Sequence, residues 1–208
     1  MGVCYIIAAN ISAYIQIEKK SDDLVIAADG GYKSALENGI NPDIVLGDFD
    51  SLGFVPDANN VIELPVEKDD TDTLAAVRIA LGKGYKTIYI YGGLGGRTDH
   101  TIANIQTLSF IADNGGRGYL VSESEVLTVI KNSFIEFNKN SKGTVSAFAY
   151  GGKAKGVTIS GLYYGLLNEE LDVSFPLGVS NSFTGKPSSI RVENGKLLIA
   201  FNSLENIL

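Results

Sequence analysis

The chain has 208 residues, 45% of them hydrophobic, and its 24 acidic and 17 basic side chains give a formal net charge of −7. This length allows one large domain or two small ones, and the hydrophobic content is that of a folded globular chain. The acidic balance argues against nonspecific binding to nucleic acid or to an anionic membrane, because both require basic patches. No apolar segment is long enough to span a bilayer, so we expect a soluble cytoplasmic protein.

In the first part of the chain, β-like runs alternate with helix-like stretches. Strands are predicted at residues 3–9, 24–28, 43–47, 61–65 and 87–91, and helices at 11–18, 32–38, 73–83 and 101–113. The clearest helix is 73–83, where Leu74, Val77 and Leu81 share a face and Asp72 can serve as the N-cap. This alternation is typical of βα units with a mostly parallel sheet. The single cysteine, Cys4, lies in the first apolar run and is predicted to be a buried structural thiol.

From about residue 125 the pattern changes to short β-branched or aromatic runs separated by Gly, Asn, Lys or Ser. Strands are predicted at residues 126–131, 134–138, 144–150, 157–160, 171–175 and 189–202. In the last of these, Asn194-Gly195 is a strong signal for a β-hairpin. The composition is typical of an antiparallel sandwich or barrel. We therefore predict an α/β domain with a mostly parallel sheet over residues 1–124 and an all-β sandwich domain over residues 125–208.

Aspartates recur in four loops that follow predicted strands or lie between them. The loops are Ala-Asp29-Gly-Gly, Gly-Asp48-Phe-Asp50-Ser, Lys68-Asp69-Asp70-Thr71-Asp72 and Gly-Gly-Arg97-Thr98-Asp99-His100. In open α/β sheets ligands bind in the crevice at the carboxyl ends of the strands, so these carboxylates should converge on one rim. A cluster of like charges requires a positive group within it. Mg²⁺ holding a polyphosphate is the simplest group that fits.

The segment Gly47-Asp48-Phe49-Asp50-Ser51 is the most informative of the four. Residues i and i+2 of an extended segment point to the same side, so Asp48 and Asp50 can face one ligand while Phe49 turns into the protein. Two such carboxylates are ordinary Mg²⁺ ligands. The alternative is an Asx-type turn with solvated acids.

Two glycine-rich turns, at Asp29-Gly30-Gly31 and at residues 92–96, can bring backbone amides close to a phosphate. The alternative for each is a plain tight turn, and neither matches a Walker A loop or a dinucleotide fingerprint. Arg97 and Asp99 can clamp phosphates, or they can form an exposed ion pair of little value.

The ordered set Asp29-Gly-Gly, Gly-Asp48-Phe-Asp50-Ser51, Lys68-Asp69-x-Thr71-Asp72 and Gly96-Arg97-x-Asp99-His100 resembles the thiamine pyrophosphokinase family. The resemblance extends to the second half, where the pair Ser180-Asn181 lies late in the β-rich domain. It implies transfer of a pyrophosphoryl group from ATP to the hydroxyl of thiamine, giving thiamine diphosphate and AMP. It also implies Mg²⁺, a β-sandwich thiamine-binding domain, and a homodimer with thiamine at the subunit junction.

The resemblance assigns roles to individual positions. The metal positions are Asp29, Asp48, Asp50 and Asp72; the catalytic positions are Asp48, Asp50 and Asp72; the ATP positions are Lys68, Thr71, Asp72, Arg97, Asp99 and His100; the substrate positions are Ser180, Asn181 and Phe183. Phe183 is included because the chain has no tryptophan, so aromatic stacking on thiamine requires Phe or Tyr. Asp72 is the first candidate to accept the hydroxyl proton.

Two other functions are compatible with the same residues. The acceptor of the pyrophosphoryl group could be a 6-hydroxymethylpterin, because a related group of enzymes shares the acidic loops. The chain could also be a catalytically silent nucleotide-binding module, although the intact set of acids argues against that.

Overall fold

The computed structural model describes residues 2–9, 15–50, 53–54, 56–58, 60–67 and 69–208. The chain divides into two compact units, Met1–Glu123 and Ser124–Leu208. Among the described residues, no helix is long and apolar enough to cross a membrane.

The first unit is built on a parallel sheet. Its strands are β1 (Cys4–Ile7), β2 (Leu24–Ala28), β3 (Ile44–Gly47), β4 (Val61–Glu63), β5 (Thr87–Tyr91) and β6 (Arg117–Val121). They pair in the order β6-β5-β1-β2-β3-β4, and each of these pairs is parallel. The chain adds β2 to β4 on one side of β1 and then places β5 and β6 on the other side. The order therefore reverses between β1 and β5, which is where open α/β sheets bind ligands.

Three helices accompany this sheet: α1 (Gly31–Glu37), α2 (Asp72–Gly82) and α3 (Thr98–Asp113). Every residue of β2 and β3 is buried, as expected for parallel strands that are covered on both faces. Ile7 and Val25 pack against Ala35 of α1, which joins β1, β2 and α1 into one core cluster. Cys4 is buried and unbridged, and burial raises the pKa of its thiol to about 12. The predicted burial of this thiol is confirmed.

Two predicted helix starts differ from the structure. The N-cap of α2 is Thr71, whose Oγ1 accepts a hydrogen bond of 3.2 Å from the amide of Leu74, and Asp72 is the first helical residue. The prediction of Asp72 as the cap was therefore wrong by one residue. Helix α3 begins at Thr98, so Asp99 and His100 lie in its first turn, where an acidic side chain complements the helix dipole.

The predicted helix at residues 11–18 is wrong over its described part. Residues 11–14 lie outside the described residues, and residues 15–18 are not helical. Ile15 and Ile17 are half-buried against the first core cluster, whereas Gln16 and Glu18 are exposed. This alternation has a period of two, which is that of an extended segment rather than a helix.

The second unit contains two antiparallel sheets. Its strands are β7 (Val126–Lys131), β8 (Phe134–Phe137), β9 (Thr144–Ala149), β10 (Ala154–Ser160), β11 (Leu166–Leu171), β12 (Gly178–Ser182), β13 (Ser188–Arg191) and β14 (Lys196–Phe201). One sheet has the order β12-β9-β14-β7 and the other the order β11-β10-β13-β8. Phe137 of β8 packs edge-on against Phe201 of β14, with ring centroids 5.4 Å apart. The two sheets thus share a core, and the predicted all-β sandwich is confirmed.

The hairpin predicted at Asn194-Gly195 is wrong. Strand β13 pairs with β10 and β8, whereas β14 pairs with β7 and β9, so the two strands belong to different sheets. Gly195 has a φ of +109°, and a Cβ there would lie 2.7 Å from the carbonyl oxygen of Lys153. The Asn-Gly turn is therefore a corner at which the chain changes sheets.

The strand predicted at residues 171–175 is also displaced. Strand β11 ends at Leu171, and a turn follows in which the Asp172 carboxylate accepts bonds from the amide and the hydroxyl of Ser174. Most residues of β11 are exposed, so the strand has no alternating apolar pattern to reveal it. Pairing with β10 defines this strand.

The glycine at the start of α1 provides a test of how tightly this helix approaches the sheet. A Cβ at Gly31 would overlap the backbone carbonyl oxygen of Ile7, so we expect Gly31→Ala to lower the free energy of unfolding by about 1–3 kcal/mol. The control is Gly82→Ala at the end of α2, where a Cβ would meet nothing within 4 Å. That change should raise stability by about 0.4–1 kcal/mol. Urea unfolding measures both, and equal effects would contradict the close approach.

Candidate active site

The carboxyl ends of the parallel strands border a cavity of about 460 Å³. Its walls come from the residues after β1, β2 and β5, from the loop before α2, and from the first two turns of α3. Among the described residues, the polar and charged side chains that line it are Asp29, Asp70, Thr71, Asp72, Thr73, Arg97, His100 and Asn104. The cavity thus lies at the position where the strand order reverses, and residues from three of the four predicted acidic loops meet there.

The loops after β2 and β3 are held against each other by backbone contacts. The amide of Asp29 donates a 2.7 Å hydrogen bond to the carbonyl oxygen of Leu46, and Asp29 itself has a φ of +47°. A Cβ at Gly47 would lie only 3.0 Å from the Cα of Asp29, so a side chain at this position would push the two loops apart. Glycine at position 47 therefore lets the Asp29 loop approach the Asp48–Asp50 loop.

Three of the predicted metal ligands come together. One carboxylate oxygen from each of Asp29, Asp48 and Asp50 lies within 4.8 Å of the others. Two ligands of one Mg²⁺ lie roughly 3–4 Å apart, so small side-chain rotations would bring these oxygens onto one ion. Hard carboxylate oxygens are also the ligand type that Mg²⁺ prefers. The donor set therefore fits a divalent cation of this kind.

The reason that Asp48 and Asp50 face the same side differs from the predicted one. Phe49 is not extended: its φ is +56°, and its ring is buried with Ala27 and Val45. The left-handed residue, anchored by its ring, directs both neighbouring carboxylates outward. The amide of Asp50 also donates to Oδ1 of Asp48 at 3.3 Å, so an Asx-type contact is present within the same acidic group.

Asp72, the fourth predicted metal position, does not belong to this group of three. It lines the cavity together with Asp29 but is outside the three-carboxylate group. Lys68 and Ser51, both part of the predicted motifs, lie outside the described residues.

The glycine-rich loop after β5 is fixed by a residue that lies outside the predicted motifs. Nδ2 of Asn104 donates a 2.8 Å hydrogen bond to the carbonyl oxygen of Gly93, and Asn104 is buried. A Cβ at Gly93 would lie 2.8 Å from Cδ2 of Leu120 and 3.2 Å from Nδ2 of Asn104. The signal in the sequence was a polar residue flanked by the apolar helix positions Ile102 and Ile105. Such a residue is kept in a helix when its side chain has a buried partner.

Arg97 and Asp99 pair with each other at the rim of the cavity. Nη2 of Arg97 lies 2.6 Å from Oδ2 of Asp99, and Nε lies 3.2 Å from Oδ1. This pairing raises the pKa of Arg97 and lowers that of Asp99. The side chains are 72% and 64% exposed, so a phosphate entering the cavity can compete for the guanidinium. The amide of His100 also donates to Oδ1 of Asp99, at 3.0 Å.

The three predicted substrate residues of the second unit have different surroundings. Ser180 is exposed, with a φ of +57°, at an irregularity in the pairing of β12 with β9. Phe183 is half-buried and packs edge-on against Phe137, with ring centroids 5.2 Å apart. Ser180 is thus accessible to a ligand, whereas Phe183 lies at the edge of the core.

Asn181 is buried, and its amide group is engaged by backbone atoms. Its Oδ1 accepts from the amides of Tyr164 and Ser182, both at 2.9 Å, and its Nδ2 donates to the carbonyl oxygen of Tyr164 at 2.7 Å. Tyr164 and its neighbour Tyr163 are 65% and 70% exposed and form an edge-on aromatic pair. Asn181 therefore holds the turn that presents these two rings.

Comparison with known proteins identifies both halves of the chain. The family model described as thiamin pyrophosphokinase, catalytic domain, matches residues 15–117, and that described as thiamin pyrophosphokinase, vitamin B1 binding domain, matches residues 132–198. The chain belongs to the thiamin pyrophosphokinase family. The catalytic-domain match contains the acidic cavity residues, and the second match contains Ser180, Asn181 and Phe183.

Individual relatives agree with the family match. The chain is 27% identical to Bacillus subtilis thiamine pyrophosphokinase over 183 residues, which cover 85% of this chain and 86% of the relative. It is 26% identical to a Caenorhabditis elegans thiamin pyrophosphokinase over 176 residues, which cover 79% and 71%. The crystal structure of the Bacillus subtilis thiamine pyrophosphokinase superposes with a TM-score of 0.86 at 23% identity, covering 98% of this chain and 100% of that one. This last likeness establishes the shared fold.

The three-carboxylate group predicts a specific sensitivity at Asp50. Asp50→Asn keeps the shape of the side chain but removes its charge, so we expect catalytic turnover to fall by about 100-fold or more at ordinary Mg²⁺ concentrations. The fold should be unchanged, because Asp50 is exposed. The control is Asp57→Asn, an exposed aspartate outside the cavity lining. Steady-state rates over a Mg²⁺ titration, with circular dichroism, measure both; near-normal turnover by Asp50→Asn would remove Asp50 from the site.

Proposed function

We propose that this chain catalyses the transfer of a pyrophosphoryl group from ATP to the hydroxyl group of thiamine, with thiamine diphosphate and AMP as products. The observation that carries the proposal is the convergence of Asp29, Asp48 and Asp50 beside the cavity at the strand-order reversal. These residues lie in the region that matches the thiamin pyrophosphokinase catalytic domain. A cluster of acids alone would not name the reaction, but its place in this family does.

The reaction requires positioning and charge neutralisation more than covalent chemistry. The substrate hydroxyl oxygen forms a bond to the β-phosphorus of ATP, and the bond from that phosphorus to the oxygen bridging the α- and β-phosphates breaks. AMP leaves with that oxygen. The hydroxyl proton must pass to a base, and Asp72 is the candidate because its carboxylate belongs to a cavity-lining residue outside the three-carboxylate group.

We propose that Asp29, Asp48 and Asp50 hold Mg²⁺ delivered with ATP, with Asp72 nearby in the cavity. When bound, Mg²⁺ neutralises the charge that accumulates on the phosphate oxygens. Without a cation, the three carboxylates would repel one another and the triphosphate alike. The acidic group therefore serves as a selective site for the metal-bound form of the nucleotide.

The phosphates of ATP would be bound by residues around the glycine-rich loop. Arg97 can exchange its exposed partner Asp99 for a phosphate, since guanidinium groups bind both anions through the same planar fork. Thr71 and His100 line the same cavity, and Lys68 is assigned to the phosphates from its motif alone. The buried bond from Asn104 to Gly93 holds the loop on which these contacts depend.

For the acceptor, we propose the surface of the second unit around Ser180, in the region that matches the vitamin B1 binding domain. Ser180 is exposed and Phe183 is half-buried, so both can contact a ligand at least in part. Asn181 would act through the turn that carries Tyr163 and Tyr164, because its own amide is already bonded to that turn. No observation favours a pterin acceptor over thiamine.

We further propose that the protein is a homodimer formed through the second unit. Between β11 and β12, several large apolar side chains are at least half exposed: Val173 at 59%, Phe175 at 65% and Leu177 at 52%. These three residues also line one small pocket. Exposed apolar patches of this kind mark interaction surfaces. The family resemblance implies that a second copy of the chain covers this surface. The cytoplasmic location expected from the sequence stays a prediction.

A product assay tests the proposed reaction. We expect AMP and thiamine diphosphate to form in equal amounts from ATP, Mg²⁺ and thiamine, and little AMP to form when thiamine is omitted. Chromatography that resolves AMP from ADP measures this, with 6-hydroxymethylpterin as the alternative acceptor. ADP as the product would indicate an ordinary kinase. AMP that forms only with the pterin would change the acceptor, and no AMP with either would leave a nucleotide-binding module.

The dimer is tested by placing a charge on the exposed apolar surface. Leu177→Asp should give a monomer and raise the KM for thiamine, because burying an unpaired carboxylate in an interface is unfavourable. The control is Leu36→Asp on α1, at a leucine that is 48% exposed in the first unit. Sedimentation velocity measures the oligomeric state. A wild-type monomer, or a Leu177→Asp dimer, would contradict the proposal.

A further inference from the structure

The loop that precedes α2 carries more acids than the proposed chemistry uses. Asp69, Asp70 and Asp72 lie within four residues, and Asp72 is the proposed base. Asp70 also lines the cavity, yet its carboxylate is bound by a side chain that none of the predicted motifs contains. Nε of Arg78 lies 2.7 Å from Oδ2 of Asp70, and Nη2 lies 3.4 Å from Oδ1.

The guanidinium of Arg78 also contacts an aromatic ring of α3. Its guanidinium carbon lies 5.0 Å from the centroid of the Phe110 ring, which is a cation–π arrangement between α2 and α3. Arg78 lies six residues after the first residue of α2, a little under two turns of helix, and its side chain reaches back along the helix to the loop. The acidic loop is thereby tied to α2 through Arg78, and through Phe110 to α3.

We propose that Arg78 is a positioning residue for the active site, and that Asp70 acts as its anchor rather than as a ligand of the metal or of the phosphates. The next two residues after Asp70 are Thr71, which caps α2, and Asp72, which lines the cavity. By holding Asp70, Arg78 fixes the path of the chain that leads into Thr71 and Asp72. Arg78 also offsets one negative charge in an acid-rich loop, which reduces the repulsion that an incoming triphosphate meets.

The expected kinetic effect depends on the fraction of enzyme molecules in which the loop before α2 has the conformation that binds MgATP. If that conformation is only partly populated, the apparent affinity for nucleotide falls by the same fraction. Bound MgATP can still order the loop, so the KM for MgATP should rise more than kcat falls. This assignment rests on the proposed function for its kinetic readout, but not for its structural one.

The test is a double-mutant cycle with Asp70→Asn, Arg78→Gln and the double variant. Each single change should raise the KM for MgATP by about three- to tenfold, and the double variant should be no worse than the more affected single one. A direct role of Asp70 at the metal or the phosphates would instead make the two effects multiply, or would lower kcat more than it raises KM. Either result would overturn the proposal.

A second readout does not need activity. Hydrogen exchange of the backbone amides of residues 69–74 should be faster in each single variant than in the wild type, including at Leu74, whose amide bonds to Thr71. Unchanged exchange would overturn the proposal even if the enzyme assay failed. Phe110→Leu should reproduce a smaller part of the Arg78→Gln effect, because it removes the ring but leaves the ion pair.

The matched control is an exposed ion pair in the second unit, in which Nζ of Lys153 lies 2.6 Å from Oε1 of Glu170. Lys153→Gln and Glu170→Gln should change neither the KM for MgATP nor exchange at residues 69–74. An inactive wild type would refute the proposed function alone, whereas an active wild type with independent, multiplying effects would refute the role of Arg78 alone.

Discussion

The mutual repulsion of the carboxylates at the carboxyl ends of β2 and β3 is the constraint on which the rest of the site depends. Asp29, Asp48 and Asp50 bring oxygens within 4.8 Å of one another, a distance at which like charges repel and a cation between them is favoured. The protein maintains this arrangement with backbone features that few sequences allow. These are left-handed conformations at Asp29 and Phe49, and a glycine at position 47 that the neighbouring loop almost touches. Strain of this kind is typical of functional sites.

Side chains of neighbouring elements hold the loops of the site in place. The ring of Phe49 is buried in the core, so the segment that carries Asp48 and Asp50 is fixed at its middle residue. Asn104 fixes the glycine-rich loop from α3, and Arg78 fixes the acidic loop from α2. Each loop is thus held by a side chain of a neighbouring element. A site built this way can keep its geometry when substrates enter, which is what in-line transfer between two bound substrates requires.

In the second unit as well, a buried side chain holds exposed side chains in place. The buried amide of Asn181 binds the backbone of Tyr164, while the rings of Tyr163 and Tyr164 remain exposed. A Ser-Asn pair in a family motif invites the interpretation that both side chains contact the ligand. Here only Ser180 is exposed, whereas the amide group of Asn181 is buried and is satisfied by its hydrogen bonds to the backbone of Tyr164.

Sequence patterns were sufficient for the architecture wherever the information was local. The alternation of β-like and helix-like runs predicted the parallel sheet of the first unit, and the short β-branched runs predicted the sandwich of the second. Aspartates after strands predicted a shared acidic rim, because parallel strands end at one edge whatever their order. The strand order itself, and hence the location of the cavity between β1 and β5, depends on pairings between distant residues.

The errors also have a common physical cause. At Asn194-Gly195 the local turn signal was strong, but β13 and β14 pair with different partners, so the turn joins two sheets. At residues 15–18 an amphipathic segment follows the surface of a core cluster and stays extended. The roles of Asn104 and Arg78 depend on Gly93, Asp70 and Phe110, which are distant in the sequence or belong to another element. The sequence by itself predicted which residues are candidates for the chemistry, and that they lie in loops after the strands of a parallel sheet or between them. Only the tertiary structure decided which side chains hold them in place, because periodicity describes one element at a time and contacts between elements arise when the chain packs.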